Sequence, residues 1–236
     1  MAYLEYILMG VILIPGIIFA IYAQSKVSSA YNYYSKINAK SGMTGLQASR
    51  SVLDGANLEK VKIKIVQGKL TDHYDPRKNI VSLSSDIANS TSIAALGIAL
   101  HEVGHAIQYN KGYALAKLRT GVVRFSSIIS YMLWPLVIMG ILFNFVYLQG
   151  VLGQIFIWAG IGVFGFAVLA NLVTLPVEYD ASNKAIKILE STGYLDEQEL
   201  PGCKIVLNAA ALTYVAALLV AVLNLLRFIL VFGRRR

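Results

Sequence analysis

The feature that most limits this chain is the gathering of its apolar residues into four runs, 4–23, about 126–148, 151–175 and about 204–231. A helix needs about 20 apolar residues to cross a bilayer core, and each run has that length. Only 14% of the residues are charged, against about 25% in a soluble domain, so lipid is part of the expected solvent. The segments between the runs, 24–120 and 177–203, keep an ordinary polar mixture and are expected to face water. The expected fold is therefore a single, mainly α membrane domain over 1–236. About four transmembrane helices would carry a small water-facing unit with a short β-hairpin.

The first run is read as a retained anchor. A cleaved leader begins with basic residues and has a short apolar core; here the start carries Glu5, and the first basic residue, Lys26, follows the run. Net charge is +8, but 14 of the 21 Lys and Arg lie in 24–124 and none lies in 125–183. No basic stripe is interleaved with aromatics, so a nucleic-acid partner is not expected. The asymmetry is that of the positive-inside rule. It places 24–124 in the cytoplasm and the hairpin near Tyr147–Val151 outside, and it returns Lys184, Lys187 and Lys204 to the cytoplasm. Arg234, Arg235 and Arg236 would then end outside, against the bias, and Arg227 interrupts the last run; four crossings remain the expectation. The one cysteine, Cys203, excludes an internal disulfide and a cysteine-based zinc ribbon, and is expected to be a small buried residue.

In the polar segments, Tyr31, Tyr33 and Tyr34 are aromatics of the kind that favour a membrane interface. Thr44–Asp54 reads as a capped helix stopped near Gly55. Val61–Ile65 alternates apolar and basic residues and predicts a strand, with Asn79–Leu83 as its partner in a hairpin or ribbon. Thr71–Pro76 between them reads as a loop. Ser90–Gln108 and Val177–Ser191 read as helices, the second stopped by Gly193. Gly160-Ile161-Gly162-Val163-Phe164-Gly165 spells GxGxxG, but it follows no strand and lies inside an apolar run. Close helix packing by small residues is the expected meaning.

The chemistry concentrates in His101-Glu102-Val103-Gly104-His105, an HExxH. Residues four apart on a helix share a face, so both imidazoles can address one Zn²⁺. Glu102 stands about 100° round the helix from His101, where its carboxylate can serve as general base and acid on the metal's water. The bland reading is a chance HExxH, but two histidines and a glutamate on so apolar a helix are costly to bury without partners. A catalytic zinc takes a third protein ligand. His73 is the one remaining histidine; Glu178 and Asp180 open a helix where the third run emerges, on the same expected side as His101. Glu178 is the expected ligand, ahead of Asp180. For either, the plain alternative is a helix-start carboxylate facing the positive end of the dipole.

These residues carry a family resemblance. HExxH followed by a glutamate after further membrane helices resembles the HtpX-type and CAAX-prenyl-protease zinc peptidases. Their glutamate opens an E-x-x-A-D helix, whereas Glu178-Tyr179-Asp180-Ala181-Ser182 has Ser182 in place of the aspartate. The chain more closely resembles the YugP-like neutral zinc membrane metallopeptidases over nearly its whole length. The marks are Thr71-Asp72-His73-Tyr74-Asp75-Pro76-Arg77, Val81-x-Leu83-Ser84 and Leu175-Pro176-Val177-Glu178-Tyr179-Asp180-Ala181-Ser182.

The resemblance implies a multi-pass peptidase of the bacterial plasma membrane with its active site on the cytoplasmic side. It implies one zinc per chain on two His and one Glu, a protein or peptide substrate, lipid contact and a regulatory membrane partner. By analogy Asn79–Ser84, and within it Ile80, Val81, Ser82 and Leu83, would be a free edge that receives an extended peptide. His73 or Tyr74 would hydrogen-bond the developing oxyanion; equally, Asp72, Asp75 and Pro76 build a turn that His73 holds. Asp180 would orient a ligand histidine. The expected function is zinc-dependent hydrolysis of peptide bonds, in membrane or misfolded proteins. An inactive scaffold on the same fold would have no use for Glu102, and a transporter would want ionisable residues within the crossings. Arg227 and Asn171 are the most polar residues that the crossings offer.

Overall fold

A computed structural model describes residues 10–146 and 151–232. The described elements are α1 (Ile14–Tyr34), α2 (Gly45–Gly55), β1 (Lys62–Val66), β2 (His73–Asp75), β3 (Ile80–Ser84), α3 (Ser85–Ala88), α4 (Ile93–Asn110), α5 (Ala114–Val146), α6 (Val151–Thr192) and α7 (Leu200–Phe232). They fall into two compact units. One takes the described residues up to Tyr22, Leu118–Leu175 and those from Tyr214 on; the other takes Ala23–Lys117 and Pro176–Thr213.

Every named element of the first unit is a helix. Small residues let its helices approach: a methyl added to Gly16 would lie 2.9 Å from Leu223, and one on Gly160 would lie 2.8 Å from Phe228. Gly162 and Gly165 face open space, so close packing explains only the first glycine of the GxGxxG string, all of which is helical. Large apolar side chains such as Ile18, Ile21, Phe125, Trp158 and Leu169 stay exposed, as a lipid-facing surface would leave them.

Two described helices, Gln154–Thr192 and Leu200–Leu230, are long and apolar enough to cross a membrane. Sequence predicts four crossings, so this is a correction among the described residues. The first apolar run begins within residues 1–9, outside the described part, and what remains of it in α1 turns polar at Gln24, Ser25 and Lys26. The second forms the later part of α5 and ends at 147–148, also outside. The expected 147–150 hairpin and Arg234–Arg236 likewise lie outside the described residues.

The second unit is built around α4, which is buried along nearly its whole length from Ile93 to Gln108. A helix apolar on every side belongs in the middle of a core. Leu53, Val81, Leu83 and Leu189 share a core with its own Leu96 and Leu100, all fully buried. Ser92 caps α4 by accepting from Ala95 N at 3.2 Å, so the helix starts just after the expected Ser90. α2 begins with a complete capping box: Thr44 accepts from Gln47 N, and Gln47 accepts from Thr44 N. Cys203 is buried against Gly97, where a Cβ would come 2.7 Å from its sulfur. The three tyrosines do not act together: Tyr31 joins this core, Tyr34 packs against it and Tyr33 is exposed.

The sheet corrects the expected hairpin of Val61–Ile65 with Asn79–Leu83. β1 and β3 pair in parallel, Lys62 opposite Ile80, and the strand order is β1-β3-β2. Parallel neighbours need a crossover of a dozen or more residues, and residues 67–79 supply it. Within that stretch His73–Asp75 is a strand rather than loop, antiparallel to β3 with His73 opposite Ser82. The hairpin is thus β2–β3. Its turn is held by Asp75 Oδ1, which accepts from Arg77 N at 2.9 Å. Ile80, Val81 and Ser82 are therefore in the central strand with neighbours on both sides and are not a free edge, whereas Leu83 pairs with β1 alone.

A further correction concerns Glu178 and Asp180. They do not open a helix, because α6 runs unbroken from Val151 to Thr192 with Pro176 inside it. A proline in a helix interior costs one backbone bond, and here it leaves the helix continuous.

Candidate metal centre

α4 presents His101 and His105 on one face, one turn apart, with ring centroids 4.7 Å from each other. α6 brings Glu178 to them. His101 Nε2 lies 3.2 Å from Glu178 Oε2, and His105 Nε2 lies 3.6 Å from Glu178 Oε1. The contact depends on Gly104 between the histidines, where any side chain would run into the Ala181 backbone. Ala181 sits one turn beyond Glu178, so the tightest point of the crossing is next to the three side chains. Glu178 is 1% exposed and Glu102 8% exposed. Each histidine side chain keeps a small opening, 14% for His101 and 12% for His105.

The far side of each ring is tied down. His101 Nδ1 lies 3.1 Å from Ser182 Oγ, and His105 Nδ1 lies 2.9 Å from Gln108 Oε1. Both rings thus spend Nδ1 on the protein and turn Nε2 toward Glu178. One donor atom from each of His101, His105 and Glu178 lies within 4.8 Å of the others. Two imidazole nitrogens and one carboxylate oxygen form a donor set that catalytic zinc takes, with the fourth position left open. The residues present fit that ion.

Asp180 is one step from the histidines. Its carboxylate accepts from Gln108 Nε2 at 2.7 Å and pairs with Lys184. His73 is outside the cluster: it is exposed in β2, with Nδ1 2.8 Å from the Thr71 carbonyl. Asp72 holds the end of β3, accepting from Ser84 N at 2.7 Å. Tyr74 donates to Asn79 Oδ1 at 2.8 Å, and burial pushes its phenol up to about 12, so it stays protonated near neutrality. Its ring stands 6.3 Å from that of Tyr109, which sets β2 beside α4.

Two residues of the site are given no role there by the sequence reading, Gln108 and Ser182. Both carry a signal in hindsight. Gln108 is a polar residue one turn past His105 on an apolar helix, and Ser182 shares a helical face with Glu178.

No solved structure matches this chain. The Bacillus subtilis (strain 168) protein named "Putative membrane protease YugP" is 42% identical over 215 residues, which cover 89% of this chain and 90% of that protein. The family described as "Putative neutral zinc metallopeptidase" matches residues 9–233, a span that contains all three side chains of the cluster and Glu102. The chain belongs to that zinc metallopeptidase family.

Proposed function

We propose that this chain is a zinc-dependent membrane endopeptidase in which His101, His105 and Glu178 hold one zinc ion and Glu102 is the general base and acid. The observation that carries the reading is the convergence of two imidazole Nε2 atoms, from one turn of α4, on a single buried carboxylate of α6. Zinc bound there would polarise the peptide carbonyl and bring water into its nucleophilic form near neutral pH. Glu102 follows His101 directly on α4 and is buried, so its carboxylate can take a proton from water and return it to the leaving amine. Ser182 and Gln108 hold the imidazoles in place, which spares reorganisation during the reaction.

An extended peptide is the substrate form this unit suits. Because β3 is paired on both sides, the strand addition expected there transfers to the outer edge of β2, which lies beside α4. The two long apolar helices and the relative's name, a membrane protease, support membrane association. The concentration of Lys and Arg in 24–124 supports a multi-pass arrangement in the bacterial plasma membrane with the site at its cytoplasmic edge. Membrane or misfolded proteins are then the substrates within reach.

Zinc content and cleavage of unfolded casein by detergent-purified protein test the proposal. Wild type should hold about one zinc per chain and His101→Ala much less. Glu102→Gln should keep its zinc and lose cleavage. A wild type without zinc overturns the metal assignment, and equal cleavage by wild type and Glu102→Gln overturns the acid/base role.

A further inference from the structure

We infer that Gln108 is a positioning residue that sets His105 in the tautomer able to bind metal; this rests on the zinc site proposed above. Gln108 is completely buried, so both ends of its amide must find protein partners. Its Nε2 lies 2.8 Å from the Val177 carbonyl oxygen and 2.7 Å from Asp180 Oδ2. Both partners accept, and an amide NH₂ has two hydrogens to give. The orientation of the amide is thereby decided, because a flipped group would set its oxygen against two other oxygens.

What remains for His105 is the amide oxygen, 2.9 Å from Nδ1. An amide oxygen only accepts, so Nδ1 of His105 carries the proton. In a neutral imidazole the other nitrogen is then a bare lone pair, and this is the Nε2 that faces Glu178. Ser182 imposes no such choice on His101, since a hydroxyl can donate or accept. The two histidines are therefore unequal. His105 is preset for metal by the Asp180–Gln108 pair, whereas His101 takes the tautomer that the metal requires. Asp180 acts on the ligand through Gln108, and Lys184 in turn pairs with Asp180.

The chain has three histidines, so nitrogen NMR of ¹⁵N-histidine protein resolves the ring tautomers, with His105 assigned from His105→Gln. In wild type stripped by a chelator, His105 should be protonated at Nδ1. Gln108→Met, which fills a similar volume without an oxygen, should move that proton to Nε2. It should also weaken zinc binding, read by chelator competition, by roughly 10–100-fold. Gln108→Glu restores an accepting oxygen and should keep both the tautomer and the tighter binding, although its charge is ill-suited to a place beside Asp180. A residue that only filled space would rank these variants the other way, Met above Glu. An unchanged tautomer in Gln108→Met, or loss of the Nδ1 proton in Gln108→Glu, overturns the inference. A wild type whose His105 is protonated at Nδ1 but which holds no zinc overturns the zinc reading and leaves the role of Gln108 standing.

Discussion

A methyl group placed on Gly104 would stand 2.8 Å from the carbonyl oxygen of Ala181. α4 and α6 therefore meet backbone to backbone, and the meeting point lies beside His105 on one helix and one turn past Glu178 on the other.

Gly104→Ala should push the two helices apart. Overpacking of this kind costs about 1–3 kcal/mol, and here the displacement also moves Glu178 away from the imidazoles. Thermal unfolding and zinc content, measured in the same detergent, should fall together. Gly162→Ala, on α6 in open space, should change neither. If Gly104→Ala is as stable and as fully loaded as wild type, the crossing does not set the site.

Local rules made a large part of the second unit legible in the sequence. Thr44 with Gln47 forms the cap that their spacing announces, α4 occupies nearly the expected span, and HExxH brings its histidines together because four residues make about one helical turn. Longer-range relations were less legible. Alternation marks a strand but not its partner, so β1–β3 reads as a hairpin although residues 67–79 allow a parallel crossover. β2 is too short to show a period. Pro176 reads as a helix boundary, yet α6 passes through it, and Glu178 moves from a helix start to a helix interior. The orientation of Gln108 depends on Val177 and Asp180 from another helix, which no single-helix pattern contains. The first run stops at Ala23, where α1 continues into Gln24, Ser25 and Lys26, and its start lies outside the described residues.

Removing the metal should destabilise the folded chain. An ion that binds only the folded state adds RT ln(1 + [L]/Kd), about 2.7 kcal/mol at a hundred times Kd. Without it, the carboxylates of Glu102 and Glu178, both buried, lose a nearby cation. A strong chelator should lower the wild-type midpoint in thermal unfolding, and zinc, but not magnesium, should restore it. His101→Ala should start low and respond to neither. An equal chelator shift in wild type and His101→Ala would place the stabilising metal elsewhere.

Arg50 is the fastening between α2 and β1. Its guanidinium gives Nη1 to the Val61 carbonyl at 2.7 Å, Nη2 to the Leu58 carbonyl at 3.3 Å and Nε to Asp54 Oδ1 at 2.9 Å. Hydrogen bonds to charged groups contribute about 1.5–3 kcal/mol each, and partial exposure argues for the low end. Arg50→Ala should therefore lower the denaturant midpoint by an amount equivalent to about 2 kcal/mol. Arg50→Lys should recover little, because one ammonium cannot span three divergent acceptors. Zinc content in the folded fraction should not change, since the proposed metal ligands are on other elements. Full stability in Arg50→Lys would show that charge alone, and not the fork, matters here.

The turn before α7 should supply acid sensitivity. Asp196 and Glu199 cap one another: Asp196 Oδ1 accepts from Glu199 N at 2.9 Å, and Glu199 Oε2 accepts from Asp196 N at 3.0 Å. Lys40 Nζ reaches Asp196 Oδ2 at 2.5 Å, and Lys40 N donates to Glu199 Oε1 at 2.8 Å, so the same pair ties down the segment after α1. The hydrogen bond from Lys40 is the main cause that holds the Asp196 carboxyl below its ordinary 3.8, helped by the amides of Glu199 and Gln198 against a smaller upward pull from burial. A carboxyl depressed in the folded state favours folding above its unfolded value, and that preference disappears as pH falls through the folded value. Wild type should thus lose stability more steeply than Asp196→Asn between about pH 5 and pH 3, with the two curves converging at the acid end. Added salt should shrink the Lys40 share, because that ion pair is exposed and screened, while the backbone share persists. Denaturant midpoints taken across that range for both proteins decide the matter. Parallel curves would mean that Asp196 has the same proton affinity folded and unfolded, and the clasp would then contribute nothing to the acid response.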